Sequence, residues 1–501
     1  MSEFIFFLAI DQGTSSSRAI IYDFNFKEIA KAQLEFKQYY PFRDWVEQDA
    51  EEIYLSQLEV IRKVLADLDL YIHRKALDKT KIKIYAGITN QRETVIVWDR
   101  ETSKAIYPAI VWQDGRTQKF CKELSNESLD KFIKDKTGLL INPYFSATKI
   151  NWILDSKSEY RELALKGKLA AGTVDTWLIW RLSNGKFHLT DFTNASRTLL
   201  FNINSLNWDD DLLDLFKIPK TLLAKALPSQ ADFFSFNLDG FSIEVKAVAG
   251  DQSASLFGHS CFNKGEAKCT FGTGAFFLMN TGDEILSNKS LLSTIAFSLK
   301  EKTYYAIEGS IFIAGSGINW LKNSLNLFNN AAETESMARS VTSETMAGLY
   351  FVPSFTGLGA PFWDSSVRAT LTGMSLDTTK AHIVRAMLEG IAFQIKDLMS
   401  EIDSGLFVNL NVDGGLAANN YFLEFLTNIL NLEIMRKDDL ELTAKGIIMM
   451  LAEYMGFYNL VSLKKINTVQ AFSPFLDELS REKLYTGWRR AVKQTRTTLD
   501  D

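Results

Sequence analysis

Seven consecutive apolar residues, Phe4-Ile5-Phe6-Phe7-Leu8-Ala9-Ile10, precede the polar stretch Asp11-Gln12-Gly13-Thr14-Ser15-Ser16-Ser17, and apolar positions resume across residues 18–24. Short apolar runs on either side of a Gly/Ser turn predict a β-hairpin whose first strand is buried on both faces. Residues 83–88 and 94–98 are further strand candidates, whereas residues 51–70 and 145–154 carry apolar positions at helical spacing. A strand over 245–249 ends in Gly250-Asp251, and the opening pattern then recurs: strand 267–271, turn Gly272-Thr273-Gly274, strand 275–280. A third Gly turn, Asp413-Gly414-Gly415, follows strand 407–412 and leads into a helical run from Asn420. This repetition predicts an α/β protein of two related domains, 1–255 and 256–501, closed around one cleft without a low-complexity linker.

Bulk composition narrows the class. A chain of 501 residues exceeds what one core usually supports. The net charge of −6, with lysines and arginines scattered among acids, excludes a broad nucleic-acid surface. The opening apolar run follows acidic Glu3, lacks a cleavage site and is too short to span a bilayer, so no membrane insertion is expected. Three cysteines make a poor disulfide framework, which points to a reducing, cytoplasmic setting. The four histidines have no metal-ligand spacing, which argues against a zinc site.

Three Gly turns at strand ends suit a nucleotide polyphosphate, because glycine lets backbone N–H groups approach phosphate oxygens. Alone, the first turn reads more readily as an ordinary hairpin, Gly272-Thr273-Gly274 is a weaker signal still, and Asp413-Gly414-Gly415 reads as an ordinary turn with equal ease; their order and spacing together favour phosphate binding. Thr14, Ser15 and Ser16 add hydroxyl donors and Arg18 a fixed guanidinium fork, while Asp11 at a strand end suits Mg²⁺ held largely through water. No P-loop, dinucleotide-binding fingerprint or protein-kinase catalytic loop is present.

At the residue level the chain resembles the FGGY carbohydrate kinases, within the actin/hexokinase/Hsp70 ATPase superfamily. One signature is matched by Asn142-Pro143-Tyr144-Phe145-Ser146-Ala147-Thr148-Lys149-Ile150-Asn151-Trp152, the other by Gly373-Met374 with His382-Ile383-Val384-Arg385-Ala386-Met387-Leu388-Glu389. Gly87-Ile88-Thr89-Asn90-Gln91-Arg92-Glu93-Thr94, Gly172-Thr173-Val174-Asp175-Thr176-Trp177-Leu178-Ile179-Trp180 and Asp191-Phe192-Thr193-Asn194-Ala195-Ser196-Arg197-Thr198 resemble the glycerol-phosphorylating branch.

The resemblance implies two actin-like (ribonuclease H-like) domains, with most of the glycerol site in the first and most of the adenosine site in the second. It implies ATP and Mg²⁺ as cofactors, glycerol as substrate, and a homodimer. Arg92, Glu93, Tyr144, Asp251 and Gln252 correspond to the hydroxyl-binding set, and Trp112 and Phe276 to the rings against the carbon skeleton. Thr14, Ser15, Ser16, Arg18, Gly272, Thr273 and Gly315 correspond to the phosphate cradle, and Gly415, Leu416 and Asn419 to the adenosine contacts. Asp251 corresponds to the general base; preceding Gln252-Ser253-Ala254, it also reads as a helix N-cap.

Two departures stand out. Leu416 replaces a smaller residue, and the stretch between Ser229 and Val248 has Phe233-Phe234-Ser235-Phe236 where many bacterial members carry a Gly/Arg loop for a sugar bisphosphate. No such inhibition is expected. Two rival readings stay open: an FGGY kinase for another small polyol or ketose, and a non-enzymatic actin- or chaperone-like ATPase.

Overall fold

A computed structural model describes residues 3–497 apart from positions 301, 347, 365, 440 and 467. Each half is organised by one mixed sheet. The first comprises β1 (Phe4–Gln12), β2 (Ser16–Asp23), β3 (Glu28–Glu35), β4 (Ile82–Asn90), β5 (Gln230–Leu238) and β6 (Phe241–Gly250). Its spatial order is β3-β2-β1-β4-β6-β5. The second comprises β7 (Glu266–Phe271), β8 (Ala275–Gly282), β9 (Leu292–Leu299), β10 (Lys302–Ile311), β11 (Asn409–Asp413), β12 (Ile434–Lys437) and β13 (Val469–Phe472), ordered β9-β10-β8-β7-β11-β12-β13.

The two ladders repeat one plan. An antiparallel hairpin (β1–β2, β7–β8) continues through two parallel pairings (β1–β4–β6, β7–β11–β12) to an antiparallel edge strand (β5, β13). The repetition read in the sequence is therefore topological, with β9 added at one edge of the second sheet.

The unbroken apolar character of β1 has a direct cause. Phe6, Leu8 and Ile10 enter the core of the first half, while Phe7 and Ala9 enter a second core lying between the two sheets. A strand buried on both faces has no polar alternation to show. The intervening core is filled by helices Asp251–Gly258 and Leu442–Tyr454. These cross at glycines: a Cβ on Gly446 would stand 1.9 Å from the Ala254 carbonyl oxygen, and one on Gly258 2.0 Å from that of Leu442. Although it comes late in the chain, the second helix packs on β4, with Ile447 against Gly87.

Predicted and observed boundaries differ for local reasons. The helix expected over 51–70 spans Ala50–Arg74, capped by the Asp49 carboxylate and continued by buried Ile72. The strand expected over 94–98 is Ile96–Asp99, because Glu93 takes a left-handed backbone (φ 61°) that bends the chain first. A 3₁₀ turn, Ser404–Leu406, delays the strand expected from 407 to Asn409. Among the described residues no helix is long and apolar enough to cross a membrane.

Candidate active site

All three Gly turns lie at strand ends, following Gln12, Phe271 and Asp413. In the first, Gly13 N–H donates to Ser16 O at 2.9 Å, and the turn's carbonyls are tied back into the protein. Gly13 O accepts from Gln12 Nε2 (2.7 Å) and Gln91 Nε2 (3.3 Å), Thr14 O from Gln48 Nε2 (2.7 Å), and Ser15 O from Phe36 N (3.2 Å). The turn oxygens, which would repel an anion, are thereby drawn behind it.

The second and third turns meet. Gly414, at φ +88°, lies so close to the end of β7 that a Cβ there would stand 2.3 Å from Phe271 O. Gly272 O accepts from Gly315 N at 2.9 Å, and Thr273 O from Ser316 N at 3.1 Å, which seats the Gly315–Asn323 helix start beside the turn. A Cβ on Gly415 would meet nothing within 4 Å, and one on Gly272 only Gly274 O at 4.0 Å. Both face open space, as a phosphate or nucleoside cradle requires. Leu416 is turned into the core, and the Asn419 side chain caps helix Asn420–Leu430 and bonds Thr334 at 3.0 Å. Any ligand contact from these two positions falls to backbone atoms.

Residues 92–276 supply the other wall. Rings of Trp112 and Tyr144 meet edge-on at 5.5 Å, and those of Trp112 and Phe276 at 6.2 Å. Arg92 Nε lies 3.5 Å from Asp251 Oδ1 and 4.0 Å from Glu93 Oε1. Gly250 makes this possible, since a Cβ there would stand 2.7 Å from Arg92 Cδ. Asp251 is the first residue of its helix and Gly250 occupies the N-cap position, so Asp251 lies one residue inside the cap expected from sequence. Its carboxylate accepts from Gln252 N at 2.7 Å and keeps a third of its surface open to the cleft. Gln252 Oε1 in turn accepts from buried Lys268.

Charge is concentrated here. Burial raises the Asp251 carboxyl above the usual range against the pull of Arg92 and Lys268. Burial likewise pushes Asp11 up to about 6, with the Asp251 and Glu441 carboxylates reinforcing it and Arg18 opposing. Arg18 pairs with Glu441 and lies 3.9 Å from Asp11 Oδ2. Mutually repelling carboxylates are a fitting seat for a divalent cation. Among the described residues no three His, Cys, Asp or Glu side chains converge on one point, so phosphate and water would complete such a shell.

Comparison with known proteins places this arrangement. Models of the N-terminal and C-terminal domains of the FGGY family of carbohydrate kinases match residues 6–258 and 267–454. The chain belongs to the FGGY family of carbohydrate kinases. It is 46% identical over 504 residues to a glycerol kinase of Petrotoga mobilis, with 99% of each covered. It matches the crystal structure of Plasmodium falciparum glycerol kinase with ADP at a TM-score of 0.91 and 34% identity, over 100% of both chains. A xylulose kinase from Lactobacillus acidophilus shares the fold at a TM-score of 0.87 and 21% identity, over 99% of each. This FGGY kinase thus has the two-domain actin-like ATPase fold.

Four residues outside the predicted site set hold its members in place. Arg197 bonds Glu93, Glu308 bonds both Arg92 and Arg197, Lys268 holds Gln252, and Glu441 holds Arg18. Three of them carry a local signal: Arg197 closes the stretch Asp191-Phe192-Thr193-Asn194-Ala195-Ser196-Arg197, Lys268 is a base inside the strand Ala267-Lys268-Cys269-Thr270-Phe271, and Glu308 is an acid inside the apolar strand Tyr304-Tyr305-Ala306-Ile307-Glu308-Gly309-Ser310-Ile311.

Proposed function

We propose that this FGGY kinase transfers the γ-phosphoryl group of ATP to a terminal hydroxyl of glycerol, giving sn-glycerol 3-phosphate. The observation that carries this reading is the convergence of Arg92, Glu93 and Asp251 beside the Trp112–Tyr144–Phe276 wall. Charged hydrogen-bonding groups on one side and flat apolar rings on the other suit a short carbon chain bearing adjacent hydroxyls. The full-length resemblance to glycerol kinases supports the same reading.

In this reading most of the glycerol site comes from the N-terminal domain and most of the nucleotide site from the C-terminal one. Asp251 takes the hydroxyl proton as the new P–O bond forms; a carboxylate suffices because phosphoryl transfer depends mainly on positioning and charge stabilisation. Thr14, Ser15, Ser16, Arg18, Gly272, Thr273 and Gly315 hold the β- and γ-phosphates, and the backbone of Gly415, Leu416 and Asn419 borders the adenosine. Asp11, with Asp251 facing it, would hold Mg²⁺, which neutralises phosphate charge when bound. Closure of the cleft excludes water and suppresses hydrolysis of ATP.

A coupled assay with a substrate panel tests this. ATP consumption is expected to depend on added glycerol and to yield glycerol 3-phosphate one for one, with the highest kcat/KM on the panel. A higher kcat/KM for a tetritol or pentulose, or glycerol-independent ATP turnover, sinks the assignment.

A further inference from the structure

Glu308 sits mid-strand in β10 of the C-terminal sheet, yet among the described residues the side chains that hydrogen-bond its carboxylate, Arg92 and Arg197, belong to the N-terminal half. Its Oε2 accepts from Arg92 Nη1 at 2.8 Å and its Oε1 from Arg92 Nη2 at 2.9 Å, a bidentate pair. The same Oε1 accepts from Arg197 Nη2 at 2.9 Å. Arg197 turns back through Nε to Glu93 Oε1 at 2.6 Å. Two guanidiniums and two carboxylates thus form a neutral, closed set, with side chains at most 3% exposed. Although burial opposes its ionisation, Arg197 and Arg92 pull Glu308 down to about 2.

The arrangement bears on the cleft through two groups. Arg92 presents Nε toward Asp251, and each terminal nitrogen held by Glu308 keeps a second hydrogen to offer. Glu93 follows it in a left-handed backbone (φ 61°), a conformation a glutamate seldom adopts unless its surroundings hold it. Arg197 supplies that hold from the side-chain end. Among the described residues, Glu308 is the carboxylate that accepts hydrogen bonds from both arginines and the member of the set contributed by the C-terminal half; Glu93 accepts one from Arg197 and lies 4.0 Å from Arg92. A buried set of this kind is stable only when complete, since removing one partner leaves an uncompensated charge.

We propose that Glu308 is a positioning residue for phosphoryl transfer: supplied across the cleft, it fixes the Arg92 fork and, through Arg197, the Glu93 carboxylate. The glycerol site is thereby completed only when the C-terminal sheet is docked against the N-terminal half. This rests on the reading of Arg92 and Glu93 as glycerol-binding groups. It assigns Glu308 no contact with substrate or nucleotide.

The test is Glu308→Gln, which keeps shape and removes charge, with Glu308→Asp as the conservative variant. For Glu308→Gln, kcat/KM for glycerol should fall on the order of 100-fold, carried mainly by KM for glycerol, while KM for ATP stays within about twofold. Glu308→Asp should regain about a tenth or more of the wild-type kcat/KM. A merely structural role would lower Tm and the active fraction with both KM values unchanged, which overturns the proposal. A crystal structure of unliganded Glu308→Gln adds an arm that needs no turnover. Arg92 swung away from the Asp251 carboxylate supports the proposal, and Arg92 unmoved overturns it. Should Glu308→Gln fail to fold, Glu308→Asp carries both arms. Wild-type protein inert toward glycerol overturns the proposed function instead, and the crystallographic arm still decides this inference.

Discussion

The indole Nε1 of Trp112 donates to the Thr14 hydroxyl at 3.1 Å, fastening the apolar wall of the proposed glycerol pocket to the first phosphate turn. The same ring meets Tyr144 and Phe276, so one side chain touches both the proposed glycerol pocket and the proposed phosphate turn. Trp112→Phe keeps a flat wall and removes the donor. One neutral hydrogen bond of about 1 kcal/mol corresponds to a five- to tenfold loss in kcat/KM. That loss should appear in KM for ATP as well as for glycerol, read by varying each substrate at saturation of the other. An effect confined to glycerol would mean that the Thr14 bond carries no coupling.

Asp251→Asn removes the proposed base while keeping the side chain's size. Turnover should fall roughly 10²- to 10⁴-fold with glycerol affinity little changed, as measured by single-turnover kinetics and equilibrium binding. Retention of most of the wild-type turnover would refute the base assignment. Because burial raises the Asp251 pKa in the ligand-free protein, the acidic limb of the kcat/KM–pH profile should lie above the range of an ordinary aspartate, and kcat/KM should rise with pH through it.

Asp11 links function to stability with a definite sign. Its pKa rises from 3.8 to about 6 on folding, so the stabilisation is complete below the unfolded value and lost as pH rises from about 4 to 6. By linkage the ligand-free protein carries a burden of order 3 kcal/mol above that window, of which Asp11→Asn should relieve a part. Urea unfolding at pH 7.5 without ligands should show Asp11→Asn more stable than wild type, although inactive. The advantage should vanish near pH 4, and Mg²⁺–ATP should raise the wild-type Tm alone. A variant less stable than wild type at pH 7.5 would contradict this.

Two sets of glycines separate packing from ligand contact. Gly446→Ala would put a Cβ 1.9 Å from the Ala254 carbonyl oxygen, where backbone must move. Overpacking of about 1–3 kcal/mol outweighs the roughly 1 kcal/mol helix-propensity gain, so the fold should be destabilised. Gly272→Ala and Gly415→Ala point into open space and should leave stability within about 0.5 kcal/mol. Their methyl groups would occupy the proposed nucleotide cradle, which should raise KM for ATP while KM for glycerol stays near its wild-type value. Denaturant unfolding beside steady-state kinetics on the three variants checks both halves.

The contrast between what could be read in the sequence and what could not follows from range. The hairpins and the long helix were legible because apolar runs, Gly/Ser turns and the Asp49 cap are local. Arg92, Glu93, Tyr144 and Asp251 were reached through motifs, and the fold brings them to one cleft. The partners that hold them were not legible. Arg18 meets Glu441 across 423 positions and Arg92 meets Glu308 across 216, and no local pattern encodes such pairings. The N-cap misplacement at Asp251 has a similar cause: Gly250 takes that position because Arg92 packs where its side chain would be.

The hairpin β5–β6 bears on regulation. It closes through Asp239 and Gly240, at φ +48° and +82°, the backbone of a tight two-residue turn. Between Ser229 and Val248 there is no arginine; Phe233, Phe234 and Phe236 are spent on the core, and Lys246 is paired with both Asp232 and Glu244. A dianionic or tetraanionic sugar phosphate needs several convergent cations or free amides, and this segment offers neither a loop nor an unpaired charge. Fructose 1,6-bisphosphate at millimolar concentration is therefore expected to leave kcat and both KM values unchanged at subsaturating substrate. Inhibition that Lys246→Ala abolishes would locate a site here after all and overturn this expectation, as would any dose-dependent inhibition in a salt-matched control.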